Sequence, residues 1–286
     1  MFLIADCGST KCDWAVSDGT NVTFFQGIGF NPIHSSDEAI LTAIKNAITD
    51  NKVDAKTIDD IYFYGAGCIN GIGSERINGN LRYFFPKSEI HTFDDLTGAG
   101  RAIFKTDSGV ACILGTGCNS GVYQNSEIVD SIPPMGYIIG DEGSGASIGR
   151  RLVNAIYKKE LPEFYRNLFE KECMLNYEDV ISGVYHSESS AQFLASLVPF
   201  VHDHIGDQIF RNLVFCEFDL FFNRNVIRLS RPKSYTAGFV GSIATYFSDV
   251  LKDAARFHGI TISSIIQRPI QRLAEYHNEM LFANPK

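Results

Sequence analysis

Short apolar runs that read as buried strands punctuate the chain, and three of them end on glycine-centred turns. Phe2–Ala5 runs into Asp6-Cys7-Gly8-Ser9-Thr10-Lys11, and Val110–Leu114 into Gly115-Thr116-Gly117-Cys118-Asn119-Ser120. The weaker run Tyr235–Ala237 meets Gly238-Phe239-Val240-Gly241-Ser242. The first two turns lead straight into further strand-like segments, Cys12–Val16 and Gly121–Tyr123. A strand, a tight Gly/Ser/Thr turn and a second strand form a hairpin whose tip offers backbone N–H groups and hydroxyls to an anion. Two such hairpins, far apart in the chain, suggest a duplicated unit clamping one polyphosphate. That reading points to a nucleotide-dependent phosphotransferase.

Around these turns the polar and apolar positions predict an alternation of elements. Strands are expected at Cys12–Ser17, Val22–Gln26, Ile61–Tyr64 and Glu89–Thr92. Ile40, Ala43, Ile44, Ala47 and Ile48 recur at helical spacing behind Ser35 or Ser36, predicting a capped helix from Asp37 to Asn51. A second helix covers Glu75 to Phe84, stopped before Pro86, and a short one Thr97 to Phe104. Three strands followed by alternating helices and strands indicate a mixed sheet, not a plain Rossmann unit. The pattern restarts near Gly109 and then turns helical, with signals at Ser147–Lys159, Glu178–Tyr185, Ala191–Val198, Asp207–Phe222 and Ile243–Phe257. A strand at Ile260–Ser264 and a helix from Pro269 close the chain. With no low-complexity linker, residues 105–108 read as a hinge between packed lobes.

Composition narrows the partners. At 286 residues the length suits about two domains, and 45% hydrophobic with 20% charged residues is ordinary for a globular chain. The net charge of -8 comes without a basic run, which argues against nucleic acid or an anionic membrane surface as the main partner. A phosphorylated ligand would then need local help from a metal ion and backbone dipoles. No apolar stretch approaches the ~20 residues of a membrane span, and no signal peptide is visible. The seven cysteines (7, 12, 68, 112, 118, 173, 216) include no C-x-x-C pair and read as free thiols of a reducing cytoplasm.

Several residues can carry chemistry. Asp6 ends its strand where a carboxylate can hold Mg2+ through water, while Gly8, Ser9 and Thr10 approach phosphate oxygens. Lys11 adds a point charge or is simply solvated. Neither hairpin fits G-x-x-x-x-G-K-[ST] or G-x-G-x-x-G. Asp94-Asp95 follows the Glu89–Thr92 strand, where open α/β sheets bind ligands. Two adjacent aspartates cannot do the same job: one is expected to cap the following helix, and Asp95 to act as general base. Gly140-Asp141-Glu142-Gly143-Ser144-Gly145 precedes a helix and offers carboxylates to sugar hydroxyls, with glycines for close backbone approach. Pro32 pins Asn31 in an extended conformation, where its amide can read a hydroxyl or acetamido group or simply form a turn. Gly238, Gly241 and Ser242 let a flat base lie against the backbone at a helix start. The histidines (34, 91, 186, 202, 204, 258, 277) show no metal spacing.

Together these motifs resemble the actin-like ATPase superfamily of sugar kinases, Hsp70 and actin. More closely they resemble its branch of N-acetylglucosamine kinases and BadF/BadG/BcrA/BcrD ATPases. Asp6–Lys11 resembles the phosphate-1 motif, Leu114–Ser120 phosphate-2 and Ala237–Ser242 the adenosine motif. Gly136-Tyr137-Ile138-Ile139-Gly140-Asp141-Glu142-Gly143-Ser144 is similar to the family's G-x-x-x-G-D-E-G-S, and Pro269–His277 to its closing helix. The resemblance implies a two-lobed, ribonuclease H-like α/β fold with duplicated mixed five-stranded sheets and an ATP cleft between the lobes. The implied boundaries are 1–106 for the sugar and phosphate-1 lobe, 107–268 for the phosphate-2 and adenosine lobe with a helical insertion, and 269–286 for the closing helix.

By the same resemblance Asp95 falls on the catalytic aspartate, and Gly8, Ser9, Thr10, Lys11, Gly115, Thr116, Gly117 and Asn119 on the phosphate-binding turns. Gly238, Gly241 and Ser242 fall on the adenosine side, and Asn31, Gly136, Asp141 and Glu142 on the amino-sugar side. Two departures stand out: Pro133-Pro134-Met135-Gly136 replaces a Gly-Gly-Trp-Gly-like turn of the mammalian kinases, and Arg272 replaces a frequent glycine of the closing helix. The activity implied is ATP- and Mg2+-dependent phosphorylation of an amino sugar's 6-hydroxyl, with N-acetylglucosamine first among candidates. Relatives are often dimers, and the aromatic content (22 Phe, 12 Tyr) leaves room for such an interface. Two alternatives are an activator ATPase of a 2-hydroxyacyl-CoA dehydratase system, which needs cluster-binding cysteines, and a non-catalytic sugar or nucleotide-binding regulator.

Overall fold

In the computed structural model, which describes residues 1–68, 71–187 and 189–283, the N-terminal apolar run becomes strand β1 (Phe2–Cys7). It is followed by β2 (Lys11–Ser17), β3 (Val22–Ile28), α1 (Asp37–Asp50), β4 (Asp60–Gly65), α2 (Ile72–Phe84), β5 (Glu89–Asp94) and α3 (Asp95–Phe104). The sheet runs β3-β2-β1-β4-β5, with β1, β2 and β3 antiparallel neighbours and β1, β4 and β5 parallel. By contacts this first unit comprises Met1–Ser108, Tyr123–Ile128 and Arg268–Lys286.

A second five-stranded sheet, in the order β10-β9-β6-β7-β8, uses β6 (Gly109–Leu114), β7 (Cys118–Gln124), β8 (Glu127–Ile132), β9 (Ala237–Val240) and β10 (Ile262–Ile266). Between β8 and β9 come α4 (Gly136–Ile139), α5 (Gly145–Tyr157), α6 (Glu163–Cys173), α7 (Tyr177–Tyr185), α8 (Ser190–Ala195), α9 (Val198–Asp203) and α10 (Gln208–Phe221). The last of these runs into a π-helical turn, Phe222–Val226. Helices α11 (Ser242–Tyr246) and α12 (Ser248–Phe257) precede β10, and α13 (Ile270–Ala283) follows it. The second unit is Gly109–Val122 with Val129–Gln267. Its core is rich in phenylalanine packed edge to face: Phe200 meets Phe169 and Phe210 at ring centroids of 5.4 and 5.5 Å.

The period-two alternation of β1 determines what each face of the first sheet buries. Leu3, Ala5 and Cys7 join Trp14, Phe63, Ile40 and Ile44 in one core, against α1 and α2. Phe2 and Ile4 turn the other way, into a core with Ala102 of α3 and Ile270, Leu273 and Ala274 of α13. Asp6 follows them by register and so lies on the α3/α13 side. Burial on both faces explains why β1 reads as a nearly unbroken apolar run.

Some elements differ from expectation, each for a local reason. The helix expected over 191–198 breaks after Ala195, and Pro199, in the first turn of α9, begins a new one. The helix expected over 243–257 is interrupted at Phe247, whose buried side chain sits at φ -110° and ψ 31°. The Tyr235–Ala237 strand forms further on, as Ala237–Val240, and the Ile260–Ser264 strand as Ile262–Ile266. Strand β8, at the sheet edge, and α6, which buries only Phe169, carry too little apolar signal to be read from the pattern. The closing segment expected over 269–286 ends in three residues outside the described ones.

Helix α13 carries a polar link into the apolar core of the first unit. Arg101 Nη1 donates to the Tyr64 hydroxyl at 2.8 Å, and that hydroxyl lies 2.7 Å from His277 Nε2. A guanidinium only donates, so the Tyr64 oxygen accepts from Arg101, and the hydroxyl shares a further hydrogen bond with His277 Nε2 whose direction depends on the imidazole tautomer. Burial, with Arg101 adding to it, pushes the His277 pKa down from 6.5 to about 3. The folded chain thus refuses a proton that the unfolded chain accepts, so this residue's contribution to stability is complete above pH 6.5 and is lost as pH falls towards 3. Urea denaturation at several pH values should show the gap between wild type and His277→Gln narrowing as pH drops from neutral into that window. A gap independent of pH would contradict the neutral imidazole.

Candidate active site

In the first unit the β1–β2 turn is closed by Gly8 N–H donating to Lys11 O at 3.0 Å, and Gly8, Ser9, Thr10 and Lys11 are all exposed. The end of β3 braces it from behind. Gly29 N–H donates to Thr10 O at 3.2 Å, and a Cβ on Gly29 would stand 2.2 Å from both Gly8 O and Lys11 N. Only glycine allows that approach.

Three carboxylates gather beside this turn. The β1/β2 register places Asp6 opposite Asp13. Burial first, then the charges of Asp13 and Asp95, push the Asp6 pKa up to about 7, with Lys11 opposing them. Asp13 accepts from Gln26 Nε2 at 2.7 Å, and Arg268 Nη1 lies 3.9 Å away. The Asp94-Asp95 pair divides its roles. Asp94 caps α3, accepting from Thr97 N–H at 2.8 Å and from its hydroxyl at 2.7 Å. Asp95 is the first residue of the helix, half-buried, with its charge felt at Asp6. Such a set, short of positive charge, fits a divalent cation: Mg2+ is held by one or two carboxylates and its own waters rather than by a closed protein cage.

Asn31 follows on the same unit. Its Oδ1 accepts from Ile33 N–H at 2.9 Å, and its backbone N–H donates to Ser35 Oγ at 3.2 Å. The amide is thereby oriented, and its Nδ2 makes no hydrogen bond to another described residue. Gly67, at φ +81°, lies so close that a Cβ there would stand 2.4 Å from Asn31 Oδ1.

The second unit builds its turn differently. Gly115 N–H donates to Gly117 O at 2.9 Å, while Gly145 N–H donates to Gly115 O at 2.8 Å and Ala146 N–H to Thr116 O at 3.1 Å. Ser147 N–H is satisfied by Ser144 Oγ at 3.2 Å. The first amides of α5 therefore buttress the 115–117 turn. Asp141, at φ +55°, is buried against that turn: its Oδ1 accepts from Cys118 N–H at 3.3 Å, and a Cβ on Gly117 would stand 3.1 Å from its Oδ2. Burial raises its pKa to about 6, against the pull of the Cys118 N–H. Asp141 N–H donates to Pro134 O at 2.9 Å, and a Cβ on Gly140 would stand 2.0 Å from that oxygen. The Pro133–Gly136 turn and the 140–145 run are thus locked together. Gly136 is exposed, at φ +73°, and opens α4.

Two expected site residues are engaged elsewhere. Glu142 accepts from Arg224 Nη1 at 2.7 Å and Asn225 Nδ2 at 3.1 Å; burial would raise its pKa, but these bonds outweigh it and hold the carboxyl below its ordinary range. The π-helical turn that carries Arg224 and Asn225 also accepts, at Asn225 O, the Ser120 hydroxyl at 2.5 Å. Gly238 lies inside β9, paired with Ala111 and Ser264, so it is not a turn residue. The turn itself is Gly241, at φ +124°, where a Cβ would stand 2.2 Å from Leu114 O; Ser242 begins a helix of 5 residues. Asn119 Oδ1 accepts from Ser120 N–H at 2.9 Å.

Asp13, Gly29, Arg224 and Asn225 escaped the sequence reading. Only the first two left a trace there: Asp13 mirrors Asp6 across a short hairpin, and Gly29 stands in Gly27-Ile28-Gly29 before Asn31. Cys118, on which a cluster-binding alternative would draw, is buried, and burial pushes its thiol well above the usual range.

Two mixed five-stranded sheets, each with a glycine turn after its central strand, define an actin-like ATPase fold. Among solved structures the chain is similar to a proposed N-acetylglucosamine kinase from Porphyromonas gingivalis, with 35% identity, a TM-score of 0.93, and 98% of this chain and 99% of that chain covered. The chain belongs to this family of N-acetylglucosamine kinase-like proteins. A proposed N-acetylglucosamine kinase from Chromobacterium violaceum shares the fold at 16% identity and a TM-score of 0.70, over 96% of this chain and 99% of that one. The (R)-2-hydroxyglutaryl-CoA dehydratase component A of Acidaminococcus fermentans does so at 11% identity and 0.52, over 98% and 96%. These last two likenesses speak for the fold alone. No protein-family model and no curated protein matches the sequence.

The packing of Gly29 separates a turn's shape from its ligand contacts. Gly29→Ala should destabilise the protein by about 1–3 kcal/mol in urea denaturation, because the new methyl meets backbone that cannot yield. Gly8→Ala, whose Cβ would find only Lys11 O at 3.7 Å, should stay within about 0.5 kcal/mol of wild type. Equal effects would show that the brace is not what shapes the turn.

Proposed function

We propose that the protein transfers the γ-phosphoryl group of ATP to the 6-hydroxyl of an amino sugar, N-acetylglucosamine in the first instance. The observation that carries this reading is the division of the aspartate pair: Asp94 is consumed as a helix cap, while Asp95 stands beside Asp6 and the phosphate-1 turn. The sugar class comes from the printed name of the Porphyromonas gingivalis relative.

On this reading the exposed amides and hydroxyls of Gly8, Ser9, Thr10 and Lys11 contact phosphate oxygens, and Gly115, Thr116, Gly117 and Asn119 form a further phosphate-binding turn. Gly241 and Ser242 serve the adenosine, with Gly238 behind them in β9. Asp95 accepts the proton of the attacking hydroxyl as the phosphoryl group moves in line towards it. Asn31 donates through Nδ2 to the sugar, and Asp141, whose pKa burial raises to about 6, hydrogen-bonds a sugar hydroxyl near Gly136. Glu142 acts indirectly, by fixing the 140–145 run to Arg224 and Asn225. Asp6, with Asp13 beside it, holds Mg2+ through water. When bound, that ion neutralises charge developing on the β- and γ-phosphates. A homodimer working in the cytoplasm on a small sugar, without nucleic acid or membrane as partner, completes the proposal.

A coupled ADP-release assay over hexoses and amino hexoses tests the class of acceptor, with N-acetylglucosamine expected to give the highest kcat/KM. ADP release that no sugar stimulates would refute the kinase. Asp95→Asn should lower kcat by about 10²–10⁴-fold while calorimetry shows the sugar's Kd little changed. Turnover near wild type would remove the general-base role. Asp6→Ala should raise the Mg2+ concentration needed for half-maximal activity, and an unaltered Mg2+ dependence would move the ion elsewhere.

A further inference from the structure

At the edge of the first sheet remote from the phosphate-1 turn, β4 and β5 begin side by side. Their parallel register pairs Asp60 with Glu89 and Tyr62 with His91. Residues 60, 89 and 91 therefore project from one face, although the last two follow the first by 29 and 31 positions in the chain. His91 Nε2 lies 3.5 Å from Glu89 Oε1 and 4.0 Å from Asp60 Oδ1. One ligand atom from each of the three falls within 4.8 Å of the other two, the one such convergence of three metal-ligating groups among the described residues.

Those spacings are too long for hydrogen bonds, which run to about 3.2 Å. The 3.5 Å spacing is that of two ligands on one ion, and the 4.0 Å one would close by about half an ångström on binding. Donor atoms about 2.1 Å from a tetrahedral metal stand roughly 3.4 Å apart. The groups are also held in advance. All three sit on strands, and the imidazole of His91 lies flat on Tyr62 with centroids 5.1 Å apart and planes at 13°, which sets the direction of Nε2. Asp60 is only 8% exposed, so its carboxylate has given up most of its water, while Glu89 is exposed and leaves the site open on one side. A nitrogen and two carboxylates make a donor set for Zn2+, Ni2+ or Co2+, since an imidazole ligand disfavours the hard ions Mg2+ and Ca2+.

We propose that Asp60, Glu89 and His91 form a binding site for a borderline divalent cation, with one coordination position facing solvent. The site is separate from the nucleotide's Mg2+ near Asp6, which lies at the other end of the parallel strands. A bound ion ties the start of β4 to the start of β5. It also steadies the stack that continues from His91 through Tyr62 to His277 of α13, where the last two rings lie 3.8 Å apart.

The test is calorimetric titration of the EDTA-stripped full chain with NiCl2, and separately CoCl2, in buffer containing excess Mg2+, with thermal denaturation alongside. The expected result is one equivalent of ion bound per chain and a rise in Tm that grows with ion concentration. His91→Phe keeps an aromatic ring on Tyr62 but removes the nitrogen, so its Tm without metal should match wild type while affinity falls at least about tenfold. Glu89→Gln, at an exposed position, should weaken binding without a folding defect. Absence of uptake by the wild type, or binding that survives His91→Phe unchanged, would overturn the proposal.

Discussion

A carboxylate placed at the end of a strand buried on both faces is the constraint around which the first unit is organised. Phe2, Ile4 and their neighbours exclude water from β1, so Asp6 arrives at the phosphate-1 turn with little solvation and with Asp13 opposite it. Its charge is costly there unless something positive stands nearby, and burial accordingly pushes its pKa to about 7. The exposed hairpin tip, the amide donors and the carboxylate of Asp95 then share one small region beyond the carboxyl ends of the parallel strands β1, β4 and β5, where open α/β sheets commonly bind ligands. A dry strand end rich in carboxylates suits a hydrated metal ion, and phosphate only by way of such an ion.

The second unit reaches a comparable arrangement with different parts. Its acid, Asp141, comes from a loop in left-handed conformation, and it is held by the Cys118 N–H and the Pro134 carbonyl. The helix that follows spends its first amides on the 115–117 turn. A π-helical turn at the end of α10 supplies Arg224 and Asn225 to a neighbouring glutamate and a carbonyl to Ser120. Such an extra residue in a helix is a mild local cost that commonly marks a constrained place. Here it fixes the 140–145 run from a distance of some eighty residues along the chain.

How much of this was legible depends on the range of the signal. The strand at residues 2–7, the hairpin turns, the Ser36 cap and the Asp94 cap are local, and each showed in the residue types because propensity and capping act over a few positions. Edge strand β8 and helix α6 hardly showed, since each buries little and leaves a weak periodicity. The break at Phe247 and the shift of β9 onto Gly238 were invisible for the opposite reason: the sheet and core select them against local preference.

Along the chain alone, then, the order of residues settles the alternating α/β character, the two glycine hairpins and the short list of acids that can do chemistry. Which of two neighbouring acids is tied up by side chains waits, in the 140–145 run, for three dimensions. Glu142 is adjacent to Asp141 in sequence, yet one meets Arg224 and the other the backbone of Cys118. Gly29 matters because two hairpin strands bring Gly8 O within 2.2 Å of where its side chain would be. Asp60, Glu89 and His91 look unrelated until parallel pairing puts them on one face. Hydrogen-bonding register and burial are properties of contacts between distant segments, and no window of neighbouring residues contains them.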